Sequence, residues 1–329
     1  MPRSFRHCVP QLGSALGLIG GLALSGCGSS GSLQGAGATF PAPLYQRWFQ
    51  DLAGQGGTKV NYQSVGSGAG VRQFEGGTVD FAASDKPLSA EEAAAIPRGA
   101  VQIPMTAGAI AVAYNHPGCA LKLTQAQLVS IFEGKLRNFK QLGCADLPIK
   151  VVFRSDGSGT TYNFTKSLAA FSPSWKNGPG AAKSVSWPTG IGAKGNEGVA
   201  ASLQQVKGAI GYVESAYVRG ALQAAALQNA GGAYAKPTVA EAAQALASID
   251  LGPDLTGSNP NPQAGYPITT FTWVLLYRSG NGAKLPALQK TFRYTLSDAA
   301  QAGAPALGYI SLPAPVLQKA RAALATVGP

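Results

Sequence analysis

The sequence repeats one local pattern three times: an apolar stretch, a short turn that contains glycine, and the start of a helix. The pattern occurs at 33–43, 59–75 and 151–171. The first N–H groups of a helix have no intrahelical partners and lie at the positive end of its dipole, so each junction can bind an anion. Strands that alternate with helices form mainly parallel sheets, whose carboxyl ends meet at one edge. We therefore expect the junctions to converge on one cleft.

The junction at 151–162 is the strongest candidate anion site. An anion placed against Ser158, Gly159 and Thr160 would meet backbone N–H groups and two hydroxyl donors. Arg154 lies just upstream and offers a planar fork of donors, which Asp156 could hold in place. The alternative is an ordinary N-capped helix, with Arg154 and Asp156 paired on the surface.

Three further residues have chemistry that suits an anion site. The Thr39 hydroxyl and the Phe40 N–H are free to donate at the first junction. Asp85 follows a strand predicted at 79–84, and a carboxylate repels an anion unless that anion carries a proton. Phosphate retains a proton near neutral pH and sulfate does not, so an acceptor here favours phosphate. Alternatively, Asp85 is a turn residue that caps the segment after Pro87.

The residue inventory argues against an enzyme. The chain has two histidines, His7 and His116, and contains neither a Gly-x-Ser-x-Gly elbow nor a Walker loop. Cys119, Cys144 and one histidine do not form a zinc ligand set, so no metal or cofactor is expected. Gly190–Gly195 matches G-x-G-x-x-G, and we interpret it as a structural loop; the alternative brings Lys194 to the cleft.

The net charge of +11 suits an anionic ligand. It equally suits attraction to an anionic membrane surface. Nucleic acid is not expected as a partner, because no basic cluster is interleaved with aromatic residues.

The first residues predict export. Arg3 and Arg6 precede an apolar run at 12–24 that is too short to span a bilayer, which is typical of a signal peptide, here 1–26. The sequence 24–27 resembles a lipobox, so we predict a lipid on Cys27 and a flexible tether over 27–32; a plain signal peptide is the alternative. In an exported chain, Cys119 and Cys144 are predicted to form a disulfide rather than two free thiols.

Secondary structure is predicted from local patterns elsewhere in the chain. The apolar segments 101–104 and 109–114 predict two separate strands. The segment 172–198 is rich in glycine and proline, which indicates turns, and 285–301 is predicted as one helix.

Five blocks of the sequence together resemble the periplasmic phosphate-binding protein of the high-affinity ABC phosphate transporter. The blocks are Gly35–Pro43, Val79–Asp85, Arg154–Thr160, Gly195–Gly198 and Gly208–Glu214. The resemblance implies an α/β, two-lobe periplasmic-binding-protein fold of type II, each lobe a mainly parallel sheet flanked by helices. It places 33–108 and 268–329 in lobe 1 and 109–267 in lobe 2, with the ligand in the cleft between them.

The resemblance also implies the function and the site. The expected protein is a monomeric solute-binding lipoprotein that captures inorganic phosphate and delivers it to the permease and ATPase subunits of an ABC transporter. The implied phosphate-binding residues are Thr39, Phe40, Ser67, Asp85, Arg154, Ser158, Gly159 and Thr160, with Asp156 orienting the arginine. The alternatives are an exported phosphate sensor or adhesin, a phosphoester hydrolase, and another tetrahedral oxyanion such as arsenate or sulfate as ligand.

Overall fold

The computed structural model of the protein describes residues 32–329. The predicted signal peptide at 1–26, the predicted lipidation site Cys27 and all of the predicted tether except Ser32 lie outside the described residues. Within residues 32–329, no helix combines the length and the apolar character needed to cross a membrane.

Twelve strands are present in the described part of the chain. In chain order they are β1 (Leu33–Gly37), β2 (Val60–Ser64), β3 (Phe81–Ser84), β4 (Ala100–Tyr114), β5 (Lys122–Leu123), β6 (Lys150–Arg154), β7 (Ile191–Ala193), β8 (Ala209–Glu214), β9 (Gln223–Ala224), β10 (Ala226–Gln228), β11 (Tyr234–Ala235) and β12 (Thr269–Tyr277).

Eleven α-helices accompany these strands between residues 32 and 329. They are α1 (Ala42–Gly54), α2 (Ser67–Glu75), α3 (Ala90–Ala94), α4 (Gln125–Phe132), α5 (Gly159–Phe171), α6 (Pro173–Asn177), α7 (Gly195–Gln205), α8 (Val239–Leu246), α9 (Leu285–Thr295), α10 (Asp298–Ala302) and α11 (Ala314–Ala325).

One curled sheet runs through both lobes in the order β2-β1-β3-β12-β4-β8-β6-β7, and β9 pairs with β4. The outer strands of each lobe are parallel, as β1 is to β2 and β3, and as β6 is to β7 and β8. The central strands β4 and β12 run antiparallel to their neighbours. The sheet is therefore mixed. The parallel strands that were predicted for each lobe lie at the two sides of the sheet. A smaller sheet joins β11, β10 and β5.

The prediction of two strands at 101–104 and 109–114 is wrong, because β4 is one strand of 15 residues. It pairs with β12 over Ala100–Ala109 and with β8 over Ile110–Tyr114, so one strand passes from lobe 1 to lobe 2. Proline within the strand is tolerated because Pro104 faces Trp273 where the register shifts at a bulge. The predicted lobe boundaries at 108/109 and 267/268 stay predictions.

Local signals explain where several helices begin. Pro41 and Pro43 flank the start of α1, where first-turn N–H groups need no intrahelical partner. Ser89 and Thr124 form complete capping boxes with Glu92 and Gln127 at the starts of α3 and α4. One large core packs β1, β3 and β12 against α1, near the start of the described chain, and α9, near its end. This core contains Phe40, Phe81 and other apolar side chains.

Two further secondary-structure predictions are wrong. The segment 172–198 contains α6, β7 and the start of α7 as well as turns. The C-terminal helix predicted at 285–301 is two helices, because Ser297 caps a new helix by accepting a hydrogen bond from the N–H of Ala300.

Cys119 and Cys144 form a disulfide in the structure, with their Cα atoms 5.4 Å apart. The bridge ties the turn after β4 to the loop that precedes β6. Both sites belong to lobe 2, at the side of the large core that contains Leu121 and Phe139. It therefore constrains this lobe without touching the cleft residues.

Candidate anion-binding site

The three strand–turn–helix junctions follow β1, β2 and β6 and meet at the carboxyl ends of these strands, where β3 also ends. On the predicted lobe boundaries, lobe 1 contributes Thr39, Phe40, Ser67 and Asp85, and lobe 2 contributes the turn and first residues of α5. All of the predicted site residues are buried. They are Thr39, Phe40, Ser67, Asp85, Arg154, Ser158, Gly159 and Thr160. The lobes thus enclose a buried polar cluster.

Arg154 and Asp156 form a buried ion pair. Arg154 Nε donates to Asp156 Oδ1 at 2.7 Å and Nη2 donates to Oδ2 at 2.5 Å. Although partial burial opposes it, the hydrogen bonds and charge of Arg154 hold the pKa of Asp156 below its usual value. Arg154 is 2% exposed, so the alternative of a surface pair is wrong. Its Nη1 faces Thr160 Oγ1 at 3.4 Å, on the cleft side.

The hydroxyl of Ser67 is held as a hydrogen-bond donor by its neighbours. Its oxygen accepts from the N–H of Gly159 at 3.1 Å and from the N–H of Asp85 at 3.4 Å. A serine oxygen has two lone pairs and one proton, so the proton can only be donated outward. Among residues 32–329 that proton has no acceptor. A Cβ atom at position 159 would lie 2.7 Å from Ser67 Oγ, so glycine is required for this contact between the lobes.

Thr39 repeats the arrangement of Ser67. Its Oγ1 accepts from the N–H of Asn196 at 3.0 Å and from Asn196 Nδ2 at 2.7 Å. Here too both lone pairs are used, and in the described part of the chain no group accepts the hydroxyl proton. The next residue, Phe40, is fully buried, and its carbonyl accepts from the hydroxyl of Tyr309 at 2.8 Å.

Asp85 is an acceptor among these donors. Its Oδ1 accepts from Thr272 Oγ1 at 2.8 Å and its Oδ2 from Thr160 Oγ1 at 3.3 Å. Burial raises its pKa to about 6, against the opposing hydrogen bond of Thr272 and the charge of Arg154. At neutral pH the group is therefore mainly a carboxylate. Its oxygens contact the cleft rather than the chain after Pro87, so the turn-cap alternative is not what the structure shows.

Ser158 is the N-cap residue of α5. Its Oγ accepts from the N–H of Thr161 at 3.0 Å, and its own N–H donates to the carbonyl of Lys183 at 2.8 Å. The helix thus begins as the sequence indicates, with its N-terminus at the cleft.

Sequence reasoning missed two residues of the cluster, Thr272 on β12 and Asn196 on α7. It also misjudged the segment Gly190–Gly195, which is not a structural loop. Residues 191–193 form β7, and α7 begins at Gly195, whose N–H donates to Asp156 Oδ1 at 2.9 Å. Lys194 is exposed, so the lysine is not the residue that this segment brings to the cleft.

Contacts between the lobes surround the cluster. The N–H of Gly68 donates to the carbonyl of Gly157 at 2.8 Å. At the rim, Glu92 pairs with Lys86 of its own lobe at 2.8 Å and with Lys183 of the other lobe at 3.0 Å. Although partial burial opposes it, the hydrogen bonds from these lysines contribute to a Glu92 pKa of about 2. The lobes are therefore closed on each other.

The described residues of the site do not include a set of metal-ligating side chains. Among residues 32–329, no group of three or more His, Cys, Asp and Glu side chains is arranged to hold a metal ion. The cluster instead combines a fixed guanidinium, directed hydroxyl and N–H donors, and one facing carboxylate. These groups suit recognition of a small protonated oxyanion.

Two lobes that close over a buried polar cluster define a solute-binding protein. A family model described as a PBP superfamily domain matches residues 26–299. The crystal structure of the phosphate binding protein from Stenotrophomonas maltophilia superposes with a TM-score of 0.73 at 23% identity, covering 89% of this chain and 93% of that one. That likeness establishes the two-lobe, type II fold.

The sequence relatives narrow the class. The phosphate-binding protein PstS of Xylella fastidiosa is 38% identical over 300 residues, which cover 85% of this chain and 81% of that protein. PstS of Pasteurella multocida is 37% identical over 308 residues, covering 88% and 89%. The chain belongs to the PstS family of phosphate-binding proteins.

Proposed function

We propose that the protein captures inorganic hydrogen phosphate in the closed cleft and is the solute-binding component of an ABC phosphate transporter. It binds and releases its ligand without chemistry, so it is not an enzyme. The ligand is held by the residues named from the sequence. These are Thr39, Phe40, Ser67, Asp85, Arg154, Ser158, Gly159 and Thr160, with Asp156 orienting the arginine.

One observation carries this proposal: directed donors surround a single facing acceptor. The hydroxyl protons of Thr39 and Ser67 are committed outward, and Arg154 provides a fixed cation. These groups satisfy the oxygens of any tetrahedral oxyanion. Asp85 adds a requirement, because its carboxylate needs a proton from the ligand. Hydrogen phosphate meets it, whereas sulfate would leave two acceptors facing each other.

Binding and closure are linked in this mechanism. Donors from both lobes act together only when the cleft is closed, so the ligand shifts the protein towards the closed state. Closure also removes the anion from water, where its interactions with the buried donors are stronger. Phosphate is released when the lobes separate.

We infer the cellular setting from the family and from the first residues. PstS-type proteins are exported, and the protein delivers phosphate to the permease and ATPase subunits of its transporter. It acts as a monomer held at the membrane by a lipid on Cys27, after removal of the signal peptide at 1–26. The short segment 27–32 gives the tethered domain freedom to reach the permease.

The test is isothermal titration calorimetry of a soluble form that begins at Gly28, stripped of bound phosphate. We expect one phosphate per chain at neutral pH, with an affinity that excess sulfate does not change. Absence of phosphate binding by protein with a cooperative unfolding transition would contradict the proposal. Equal competition by sulfate would leave an oxyanion site but remove the role given to Asp85.

A further inference from the structure

We propose that Asn196 is a positioning residue that holds the Thr39 hydroxyl as a donor to the bound anion and makes this depend on closure of the lobes. The proposal rests on the proposed phosphate-binding function. Neither charge nor motif spacing indicates such a role for Asn196, which is an uncharged side chain on the second residue of α7.

Asn196 uses two of its donors on one oxygen. Its backbone N–H and its Nδ2 lie 3.0 Å and 2.7 Å from Thr39 Oγ1. The N–H is available because the second residue of a helix has no intrahelical acceptor. With both lone pairs of Thr39 Oγ1 occupied, the hydroxyl proton points away from Asn196. The side chain therefore determines which way the Thr39 hydroxyl donates.

The orientation of the Asn196 amide is fixed independently. Its Oδ1 accepts from the backbone N–H of Glu214 at 2.9 Å. Since that partner can only donate, the oxygen must face Glu214 and the NH₂ group must face Thr39. Nδ2 also lies 3.4 Å from Thr160 Oγ1. Asn196 is fully buried, so water does not compete for these bonds.

The same bonds cross between the lobes. Thr39 follows β1 in lobe 1, whereas Asn196 and Thr160 begin helices in lobe 2. A second contact supports this junction, because the hydroxyl of Tyr217 donates to the carbonyl of Thr39 at 2.7 Å. When the lobes separate, Thr39 loses the Asn196 donors and its hydroxyl is free to rotate. The donor is thus set in place by closure itself.

The experiment measures phosphate affinity of Asn196→Ala by calorimetry in the soluble form. We expect about tenfold weaker binding, since a hydrogen bond to a charged group weakens when its donor is no longer directed. Asn115→Ala is the matched control. Asn115 is also a buried asparagine of lobe 2, and its Nδ2 donates to the carbonyls of Leu203 and Gln204 at the other end of α7. Its replacement should leave the affinity unchanged within about twofold.

A double-mutant cycle with Thr39→Val separates positioning from a general structural effect. If Asn196 acts through the Thr39 hydroxyl, Asn196→Ala should weaken binding no further once that hydroxyl is gone. A second full tenfold loss in the double variant would overturn the proposal, as would wild-type affinity of Asn196→Ala. In both cases wild-type binding would leave the proposed function standing. Failure of the wild-type protein to bind phosphate would overturn both.

Discussion

Asp85 and Glu214 are two buried carboxyl groups at the ends of two strands of the same sheet. Asp85 follows β3 in lobe 1, and Glu214 is the last residue of β8 in lobe 2. They are 1% and 0% exposed, and burial raises the pKa of both. The pKa of Asp85 is about 6, however, whereas that of Glu214 is about 8. At neutral pH the first is mainly ionised and the second mainly protonated.

The surroundings explain the difference. Asp85 accepts hydrogen bonds from Thr272 and Thr160 and faces the charge of Arg154. Glu214 accepts from Ser215 Oγ and the N–H of Ala216, both in its own turn, at 2.8 Å each. None of the described residues that shift the pKa of Glu214 is positively charged, so no cation opposes the effect of its burial. Glu214 therefore caps a turn, while Asp85 is kept charged where the ligand is expected. A raised pKa by itself does not identify a functional acid, because the hydrogen-bond partners and nearby charges determine the ionisation state of the group at neutral pH.

The largest effect on phosphate affinity is expected when the cation near Asp85 is removed, which leaves Asp85 without a cation nearby, as Glu214 is. Arg154→Ala removes the cation and leaves the carboxylates of Asp156 and Asp85 beside the anion. Truncating one partner of a buried, hydrogen-bonded charge pair in a complex typically costs about 2–5 kcal/mol of binding free energy. We expect phosphate affinity to fall about a thousandfold, measured by calorimetry.

Arg321→Ala is the control for this prediction. Arg321 also donates to a carboxylate, Asp298 Oδ1 at 2.7 Å, and to the carbonyl of Leu296, but it lies on α11. Its loss should leave phosphate affinity within about twofold. Near-wild-type phosphate affinity of Arg154→Ala would show that Arg154 does not bind the ligand. It would also contradict the explanation given for the ionised state of Asp85.

Asp85→Asn should have the next largest effect on binding. The amide presents an NH₂ group as well as an oxygen, so a fully ionised anion is no longer rejected. We expect selectivity for phosphate over sulfate to fall about tenfold to a hundredfold, measured by titration of each anion. Unchanged selectivity would mean that Asp85 does not contact the ligand.

The same variant also tests the pKa of Asp85 in ligand-free protein. Since the folded-state pKa is raised from 3.8 to about 6, the protonated group favours folding below pH 3.8 and this stability is lost as pH rises towards 6. The advantage of Asp85→Asn over wild type in urea unfolding should therefore grow by about 3 kcal/mol across that window and then level off.

The parts of the site that depend on local sequence could be predicted. The junctions at Thr39 and Ser158 follow from glycine, capping residues and helix starts within a few positions. Arg154 and Asp156 are two residues apart on one turn, so their pairing needs no knowledge of the fold. Asp85 could be singled out because its charge is unusual beside donors.

The parts that depend on register could not be predicted from the same signals. Thr272 reaches Asp85 across 187 residues, and its position in an apolar strand predicts only burial. Asn196 lies 157 residues from Thr39, and only the closed arrangement of the lobes brings the two together. Local apolar patterns likewise do not show that β4 continues from 104 to 109, because the bulge that accommodates Pro104 exists only against β12.

Glu214→Gln is expected to have the smallest effect on binding, and it tests the other side of the comparison. At neutral pH the glutamine amide replaces a mainly neutral acid, so phosphate affinity should stay within about twofold of wild type. Stability should respond instead: the pKa is raised from 4.5 to about 8, so wild type loses stability relative to the variant by up to about 1.4 kcal/mol per pH unit between those values. Urea unfolding of both proteins from pH 4 to 9 measures this. The window extends two pH units beyond that of Asp85, because no cation opposes the burial of Glu214. A large loss of phosphate affinity in Glu214→Gln would show that this carboxyl group, too, acts on the ligand, for example through the backbone N–H that orients Asn196.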